Sequence, residues 1–231
     1  MPHGTHPSGS TMNITSHLPH RLVGILASAA IVLLPALVVD ETSVLAGEPV
    51  SEQAVVSAGA VIALDALARW TEGGDTAAYL GFLDSRDLVA ATVASTLGLD
   101  DSEMVEAWAA SDLDGQVAVL AALSQLGVPY RRYSSIPGEA FDCSGLTRYS
   151  WKIAGVDIER SSGNQFRAGD EVRREEAAVG DLVWYPGHVM LYLGLGDAIV
   201  HSPTRGRTVE YQILSERRSN WIRFSDPTPG R

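Results

Sequence analysis

The sequence predicts an α+β fold in which one helix packs against a small antiparallel sheet, preceded by an acidic helical segment. Apolar residues recur three or four apart from residue 50 to about residue 127, which is helical spacing. A further helical pattern follows Cys143, the only cysteine of the chain. Beyond it the spacing changes to short, closely placed strand patterns. One helix followed by several such strands favours an antiparallel sheet packed on that helix.

Residues 1–46 have the composition of a targeting segment. Arg21 precedes residues 22–39, eighteen positions without formal charge. Val44 and Ala46 are small residues at the positions that a signal peptidase reads before Gly47. The sequence therefore predicts a secretory signal peptide, with the rest of the chain outside the cytoplasm.

Two alternatives remain open for this segment. Translation from Met12 instead of Met1 would shorten the polar leader to ordinary size. Eighteen apolar residues are also close to the length of a membrane span, so residues 22–39 would serve as an uncleaved anchor, although Pro35 interrupts a continuous helix.

The apolar pattern of residues 47–115 predicts a helical segment. No pair of catalytic residues is evident in it. Gly73 and Gly74 separate its first helix from the next, and Asp101 or Ser102 is the expected cap of its last one. The apolar runs cover residues 54–70, 79–83, 88–97 and 104–110, and a further run covers 117–126. The expected role of this segment is to pack on, or to space, the domain that follows.

Charge is distributed unevenly along the chain. The formal net charge is −11, yet residues 40–115 alone carry 15 acidic and 2 basic side chains. Residues 116–231 carry 13 acidic and 14 basic side chains and are nearly neutral. Neither part has a basic stripe, which argues against nucleic acid as a partner.

The pattern of the second half of the chain predicts the main folded domain over residues 116–216. A C-terminal tail is expected over residues 217–231. The helix of the domain is expected over 144–154, where Gly155 ends it. The strand patterns fall at 181–185, 188–193, 198–201 and 208–214.

Cys143 is a candidate nucleophile. An unpaired thiol in an exported chain is a liability unless it is buried or used. At a helix N-terminus the dipole and the free N–H groups favour thiolate, so we expect a lowered pKa for Cys143. The alternative is a buried structural cysteine.

Two histidines complete a candidate catalytic set. Four of the six histidines lie in residues 1–46, which leaves His188 and His201, both on predicted strands after Cys143. A thiol nucleophile needs a base and a group that orients the base, and these histidines would supply both. A zinc site made of the same three residues is the alternative, but their spacings of 45 and 13 match no metal motif, so no metal is predicted.

Residues 117–214 resemble the NlpC/P60 family of papain-like cysteine peptidases, which cut cell-wall peptides. The nucleophile motif of the family is matched by Phe141-Asp142-Cys143-Ser144-Gly145-Leu146. The other matching stretches, in family order, are Ala122-Leu123-Ser124-Gln125-Leu126-Gly127-Val128-Pro129-Tyr130, Arg160-Ser161-Ser162-Gly163-Asn164-Gln165, Gly180-Asp181-Leu182 with His188-Val189, and Ile199-Val200-His201.

The resemblance implies the papain-like NlpC/P60 fold and a mechanism without cofactor or metal. Cys143 would attack the amide carbonyl, His188 would carry the proton, and His201 would hold the His188 ring. Tyr130 and the Cys143 backbone N–H would stabilise the oxyanion. The remaining implied site residues flank the nucleophile or line and brace the substrate groove: Asp142, Ser144, Arg160, Ser162 and Gln165.

Ser161 departs from relatives that carry an acidic residue at its position. Such a residue would hold a free amine, so its absence favours stem peptides still attached to glycan over substrates with a free N-terminus.

The predicted function is therefore that of an exported cysteine peptidase acting on peptidoglycan stem peptides, at the bond between D-glutamate and a diamino acid. The alternatives are an N-acetylmuramoyl-L-alanine amidase or other cell-wall amide hydrolase, and a non-catalytic wall-binding module. Peptidoglycan is the expected partner, the chain is expected to be a monomer, and its expected location is secreted or cell-wall associated. The acidic segment is a candidate for covering the substrate groove.

Overall fold

The computed structural model describes residues 51–228, so the predicted signal or anchor in residues 1–46 lies outside the described part of the chain. The helices are α1 (Glu52–Gly73), α2 (Thr76–Leu97), α3 (Asp101–Ala110), α4 (Leu113–Leu123), α5 (Cys143–Ile153), α6 (Ser162–Ala168) and α7 (Glu216–Ser219). The strands are β1 (Ser135–Ile136), β2 (Ala140–Phe141), β3 (Asp170–Val172), β4 (Leu182–Tyr185), β5 (His188–Tyr192), β6 (Ala198–His201), β7 (Glu210–Ile213) and β8 (Arg223–Asp226).

Helices α1 and α2 form an antiparallel hairpin whose ends are capped in conventional ways. Asp75 caps α2 by accepting from the N–H groups of Ala77 and Ala78, and Gly74 ends α1 in the left-handed conformation. The apolar spacing suggests separate runs over residues 79–83 and 88–97, but both lie in the single continuous helix α2. Helix α3 is capped by Asp100, which precedes the two expected caps, Asp101 and Ser102.

Helix α1 is long and apolar enough, by length and composition, to cross a membrane. A core helix passes the same test, and here Val56, Ala60 and Ala63 of α1 are fully buried in the main core. One face of α1 therefore belongs to the core, whereas Val55 and Ile62 of the same helix are exposed.

The six-stranded antiparallel sheet has the strand order β3-β8-β4-β5-β6-β7. Its last strand in sequence, β8, lies between β3 and β4 and pairs with both. Residues 223–226, which the sequence assigns to a tail, are thus an interior strand. The assignment is wrong there because β8 pairs with strands distant in sequence, and its short pattern gives no local sign of that pairing.

The acidic helices share one core with the sheet. The indole Nε1 of Trp108, in α3, donates to the carbonyl oxygen of Leu193 beyond β5, at 2.8 Å, and Trp108 is fully buried. Helix α4 approaches the loop before β4 so closely that a Cβ on Gly115 would lie 2.2 Å from the Val179 carbonyl oxygen. The expected boundary at residue 115 falls inside α4, and the helical segment packs directly on the sheet.

The predicted α+β class is confirmed. Helix α5 packs against both β5 and α4. The start of α5 lies near the start of β5, since the backbone N–H of Val189 in β5 acts on the Cys143 sulfur. This arrangement brings the only cysteine near the first of the two histidines.

Candidate active site

Helix α5 begins at Cys143 because Asp142 caps it. The Asp142 Oδ1 accepts from the Gly145 N–H at 2.7 Å, and its Oδ2 accepts from the Tyr133 N–H at 2.7 Å. Gly145 is required by a close approach, since a Cβ there would lie 2.1 Å from the Ser134 carbonyl oxygen. The Asp-Cys-Ser-Gly stretch thereby fixes both the helix start and the loop beside it.

Arg160 braces this helix start. Its guanidinium makes a two-pronged ion pair with Asp142, at 3.0 Å and 2.9 Å, and donates to the Ser144 hydroxyl at 2.9 Å. Asp142 and Ser144 are both buried. Three predicted site residues therefore contact one another: Asp142 and Ser144, which flank Cys143, and Arg160, which the sequence predicts to line or brace the groove.

Gln165 is an internal brace as well. Its side chain is buried, and its Nε2 donates to the carbonyl oxygens of Ser144 at 2.9 Å and Glu159 at 2.7 Å. Its Oε1 accepts from the Thr147 hydroxyl at 2.8 Å. Gln165 therefore ties α6 to the first turn of α5, which begins at Cys143. Ser162, the first residue of α6, is half-buried beside the capping residue Ser161.

His188 and His201 form a bonded pair. They lie on the neighbouring strands β5 and β6, where His188 Nε2 is 2.9 Å from His201 Nδ1 and the rings meet edge to face at 83°. Both rings are buried. The bond occupies Nε2 of His188, which leaves Nδ1 as the ring nitrogen free to exchange a proton with a substrate or a thiol.

Two residues that the sequence does not single out surround the far side of His201. Its Nε2 is 3.4 Å from the Glu210 carboxylate and 3.2 Å from the Gln212 amide nitrogen, both on β7. Glu210 faces His201 directly in the register of β6 and β7. The alternating pattern of β7 is visible in the sequence, but its register against β6 is not.

The pKa of the Cys143 thiol is raised, whereas the sequence predicts a lowered one. Burial is the larger effect and disfavours the thiolate, and the Asp142 charge adds to it. The backbone N–H groups of Val189, Ser144 and Cys143 act in the opposite direction, because they favour a charged sulfur. The influence of the Val189 N–H indicates that the sulfur lies near the residue that follows His188.

Both histidines are neutral at ordinary pH. Burial lowers the pKa of His188 from 6.5 to about 4, and the Arg218 charge adds to the effect. Burial and the neighbouring His188 lower the pKa of His201 to about 3. The resting site therefore holds a neutral thiol and two neutral imidazoles.

Aromatic and cationic side chains form the rim. The ring of Tyr185 lies 5.3 Å from that of His188, and the Arg218 guanidinium lies 4.3 Å from the centre of the Tyr185 ring. Tyr130 is half-buried and pairs with Phe141 in an isolated bridge. Burial, followed by the charge of Cys143, raises the pKa of Tyr130, so its hydroxyl stays protonated and able to donate near the sulfur.

The described residues offer no alternative metal centre. Across residues 51–228, no group of three or more His, Cys, Asp or Glu side chains is placed to hold a metal ion. The zinc alternative therefore lacks a donor set in that part of the chain.

Residues 127–223 match the model of the NlpC/P60 family. The peptidoglycan endopeptidase RipB of Mycobacterium tuberculosis is 41% identical over an alignment of 108 positions that covers 40% of this chain and 45% of that protein. The gamma-D-glutamyl-L-lysine dipeptidyl-peptidase of Bacillus subtilis is 36% identical over an alignment of 99 positions that covers 39% of this chain and 33% of that protein. The chain thus spans less than half the length of these curated relatives.

Solved structures also resemble part of this chain. A crystal structure of an NlpC/P60 family protein from Bacillus cereus is 30% identical and covers 50% of this chain and 40% of that one, with a TM-score of 0.46. That of RipD from Mycobacterium tuberculosis, a non-catalytic NlpC/P60 domain protein, is 28% identical and covers 50% of this chain and 98% of that one, with a TM-score of 0.41. The family match covers the start of α5 and strands β5 and β6, so residues 127–223 are similar to an NlpC/P60 family domain, and the structure of this region is of the α+β class.

Proposed function

We propose that this protein is a cysteine peptidase that hydrolyses amide bonds in peptidoglycan stem peptides. The observation that carries the proposal is the 2.9 Å bond between His188 and His201, beside a cysteine at a helix N-terminus, within an NlpC/P60 domain. A nucleophile, a base and an orienting group are the parts that thiol catalysis needs.

Catalysis would begin from the neutral site. As Cys143 attacks the carbonyl carbon, its proton passes to Nδ1 of His188, whose Nε2 stays bonded to His201. The oxyanion would be held by the Cys143 N–H and the Tyr130 hydroxyl. The imidazolium then gives its proton to the leaving amine, and a thioester forms. Water, deprotonated by His188, releases the acid and restores the thiol.

The proposed bond is the one between D-glutamate and the following diamino acid. Relatives support this choice, since the Bacillus subtilis protein is named a gamma-D-glutamyl-L-lysine dipeptidyl-peptidase and RipB a peptidoglycan endopeptidase. Another relative, from Escherichia coli, is named a murein DD-endopeptidase and is 33% identical over 111 residues, so a peptide cross-link is the second candidate bond. The muramoyl–L-alanine amide remains the alternative from the sequence.

The proposal includes the location and the organisation of the chain. A peptidoglycan substrate requires export, which residues 1–46 would direct, either as a cleaved signal or as an anchor through residues 22–39. The helices of residues 52–110 would act as an integral support of the domain, because Trp108 and Val56 belong to the same core as the sheet.

Digestion of purified sacculi tests the proposal. The full chain should release soluble muropeptides, and Cys143→Ala should release none. Lys152→Ala, an exposed change at the other end of the same helix, is the matched control and should digest like the unaltered chain. Undiminished release by Cys143→Ala would sink the assignment.

Mass spectrometry of the fragments identifies the bond. Cleavage after D-glutamate leaves the dipeptide L-alanyl-D-glutamate on the glycan, cross-link cleavage leaves complete stems on it, and an amidase frees intact peptides from it. The first pattern supports the proposed bond, and either of the others replaces it.

A further inference from the structure

The far side of His201 holds a carboxylate that the proposed mechanism has not used. Glu210 has a side chain 14% exposed and faces His201 Nε2 at 3.4 Å. It is also ion-paired with Arg207, which keeps a charged partner beside the carboxylate. A carboxylate this well covered, aimed at a ring nitrogen of the catalytic pair, needs an explanation.

The bond between the two histidines admits two proton arrangements. In the first, His188 Nε2–H donates to His201 Nδ1, and His201 carries its own proton on Nε2. In the second, His201 Nδ1–H donates to His188 Nε2, and His201 Nε2 is bare. Only the first leaves Nδ1 of His188 unprotonated and able to accept the thiol proton.

Glu210 distinguishes between these arrangements. An ionised carboxylate only accepts hydrogen bonds, so it attracts His201 Nε2–H and repels a bare nitrogen lone pair. It therefore favours the first arrangement. The carboxylate also compensates the charge that forms on His188 during the reaction, through two linked hydrogen bonds.

Gln212 does not make this choice. Its amide end lies 3.2 Å from His201 Nε2, and an amide can present either its oxygen or its NH₂ group to that nitrogen. Gln212 therefore fits both arrangements. Arg218 disfavours an imidazolium at His188, and Arg207 disfavours one at His201. Glu210 is the carboxylate that lies within 3.4 Å of His201 Nε2, opposite in charge to both.

We propose that Glu210 is a positioning residue that selects the tautomer of the His201–His188 pair and thereby makes Nδ1 of His188 the catalytic base. This role rests on the proposed function, because it concerns the base of the same reaction. It extends the chain of polar groups to Cys143, His188, His201 and Glu210, with Arg207 holding its end.

Nuclear magnetic resonance tests the proposal without substrate. In the full chain labelled with ¹⁵N, long-range proton–nitrogen spectra at neutral pH should show His188 protonated on Nε2 alone. In Glu210→Gln, where an amide replaces the carboxylate, we expect a mixture of the two tautomers. A His188 ring that stays wholly in the Nε2–H form in this variant overturns the proposal.

Kinetics give the second measurement. Glu210→Gln should lower kcat/KM on muropeptides by about tenfold, the effect of about one pKa unit at the base, while KM is unchanged. The double variant Glu210→Gln/Gln212→Glu returns a carboxylate to His201 Nε2 from the neighbouring position. It should restore both the single tautomer and most of the activity.

The swap separates positioning from simple support. Position 210 lacks its ion pair with Arg207 in both the single and the double variant, so a loss caused by that ion pair would persist in the double variant and overturn the proposal. Glu171→Gln, which breaks the exposed pair with Arg223 on the opposite edge of the sheet, is the control and should change neither measurement. If no muropeptide is cleaved by the unaltered chain, the proposed function fails, while the tautomer measurement still decides the role of Glu210.

Discussion

Replacing Asp181 by Asn should stabilise the protein at neutral pH. Asp181 precedes β4, its side chain is buried, and its Oδ2 accepts from the Ala178 N–H at 2.9 Å. Burial raises the pKa of Asp181 from 3.8 to about 6, and the Asp226 charge adds to the effect. An asparagine keeps an oxygen to accept from Ala178 and removes the charge that burial disfavours.

The sign and size follow from that shift. The folded pKa lies above the unfolded one, so the folded state binds more protons and the ionised carboxyl lowers stability at high pH. The destabilisation caused by the ionised Asp181 carboxyl is complete above pH 6, and it disappears below the unfolded pKa of 3.8. A shift of roughly 2 units corresponds to about 3 kcal/mol, which is an upper bound for the gain.

Urea unfolding at pH 7.5 and at pH 4 measures the effect. Asp181→Asn should raise the free energy of unfolding at pH 7.5 by about 1–3 kcal/mol and change it little at pH 4. Asp157→Asn, which removes an exposed carboxylate paired with Arg148, is the matched control and should stay within about 0.5 kcal/mol at both pH values. A gain of equal size at both pH values, or a loss at pH 7.5, would refute the reasoning.

The other predictions concern the site. Gly145→Ala should lower the free energy of unfolding by about 2 kcal/mol and impair turnover, because the added Cβ meets the Ser134 carbonyl oxygen. Thermal unfolding and an activity assay measure the two effects, and a variant that matches the unaltered chain in both would contradict this prediction. Arg160→Met should cost about 2 kcal/mol in urea unfolding, because Asp142 loses its cation while buried, and an unchanged midpoint would speak against that pairing. Since His188 has a pKa of about 4, the acid limb of kcat/KM should lie near pH 4, and a limb near pH 6.5 would show that burial does not act as argued.

The fold class and the order of the main elements could be predicted from the sequence because they depend on local spacing. The apolar periods locate α5, β4, β5 and β6 within one or two residues. Strand β8 could not be found in this way, since its partners β3 and β4 lie about 40 or more residues away and set its pairing by contact.

The sequence predicts the residues of the candidate site but not their electrostatics. Cys143, His188 and His201 stand out because they are the only residues of their kinds after residue 46. The direction of the thiol pKa depends on burial, which is a property of the packed structure, and burial outweighs the helix start that the sequence reveals. Glu210 is hidden for the same reason, since only the register of β6 and β7 places it on His201.

A neutral thiol and neutral imidazoles at rest are compatible with an active nucleophile. Two opposing sets of interactions act on the charged forms of these groups. Burial disfavours both thiolate and imidazolium, whereas the N–H groups around the Cys143 sulfur and the carboxylate beyond His201 favour them. Interactions that strengthen only as charge develops accelerate the reaction rather than stabilise the resting enzyme. Alkylation of Cys143 by iodoacetamide should therefore be slow at neutral pH and rise with pH. Slow labelling alone would not indicate a decayed site, but slow labelling together with absent muropeptide release would.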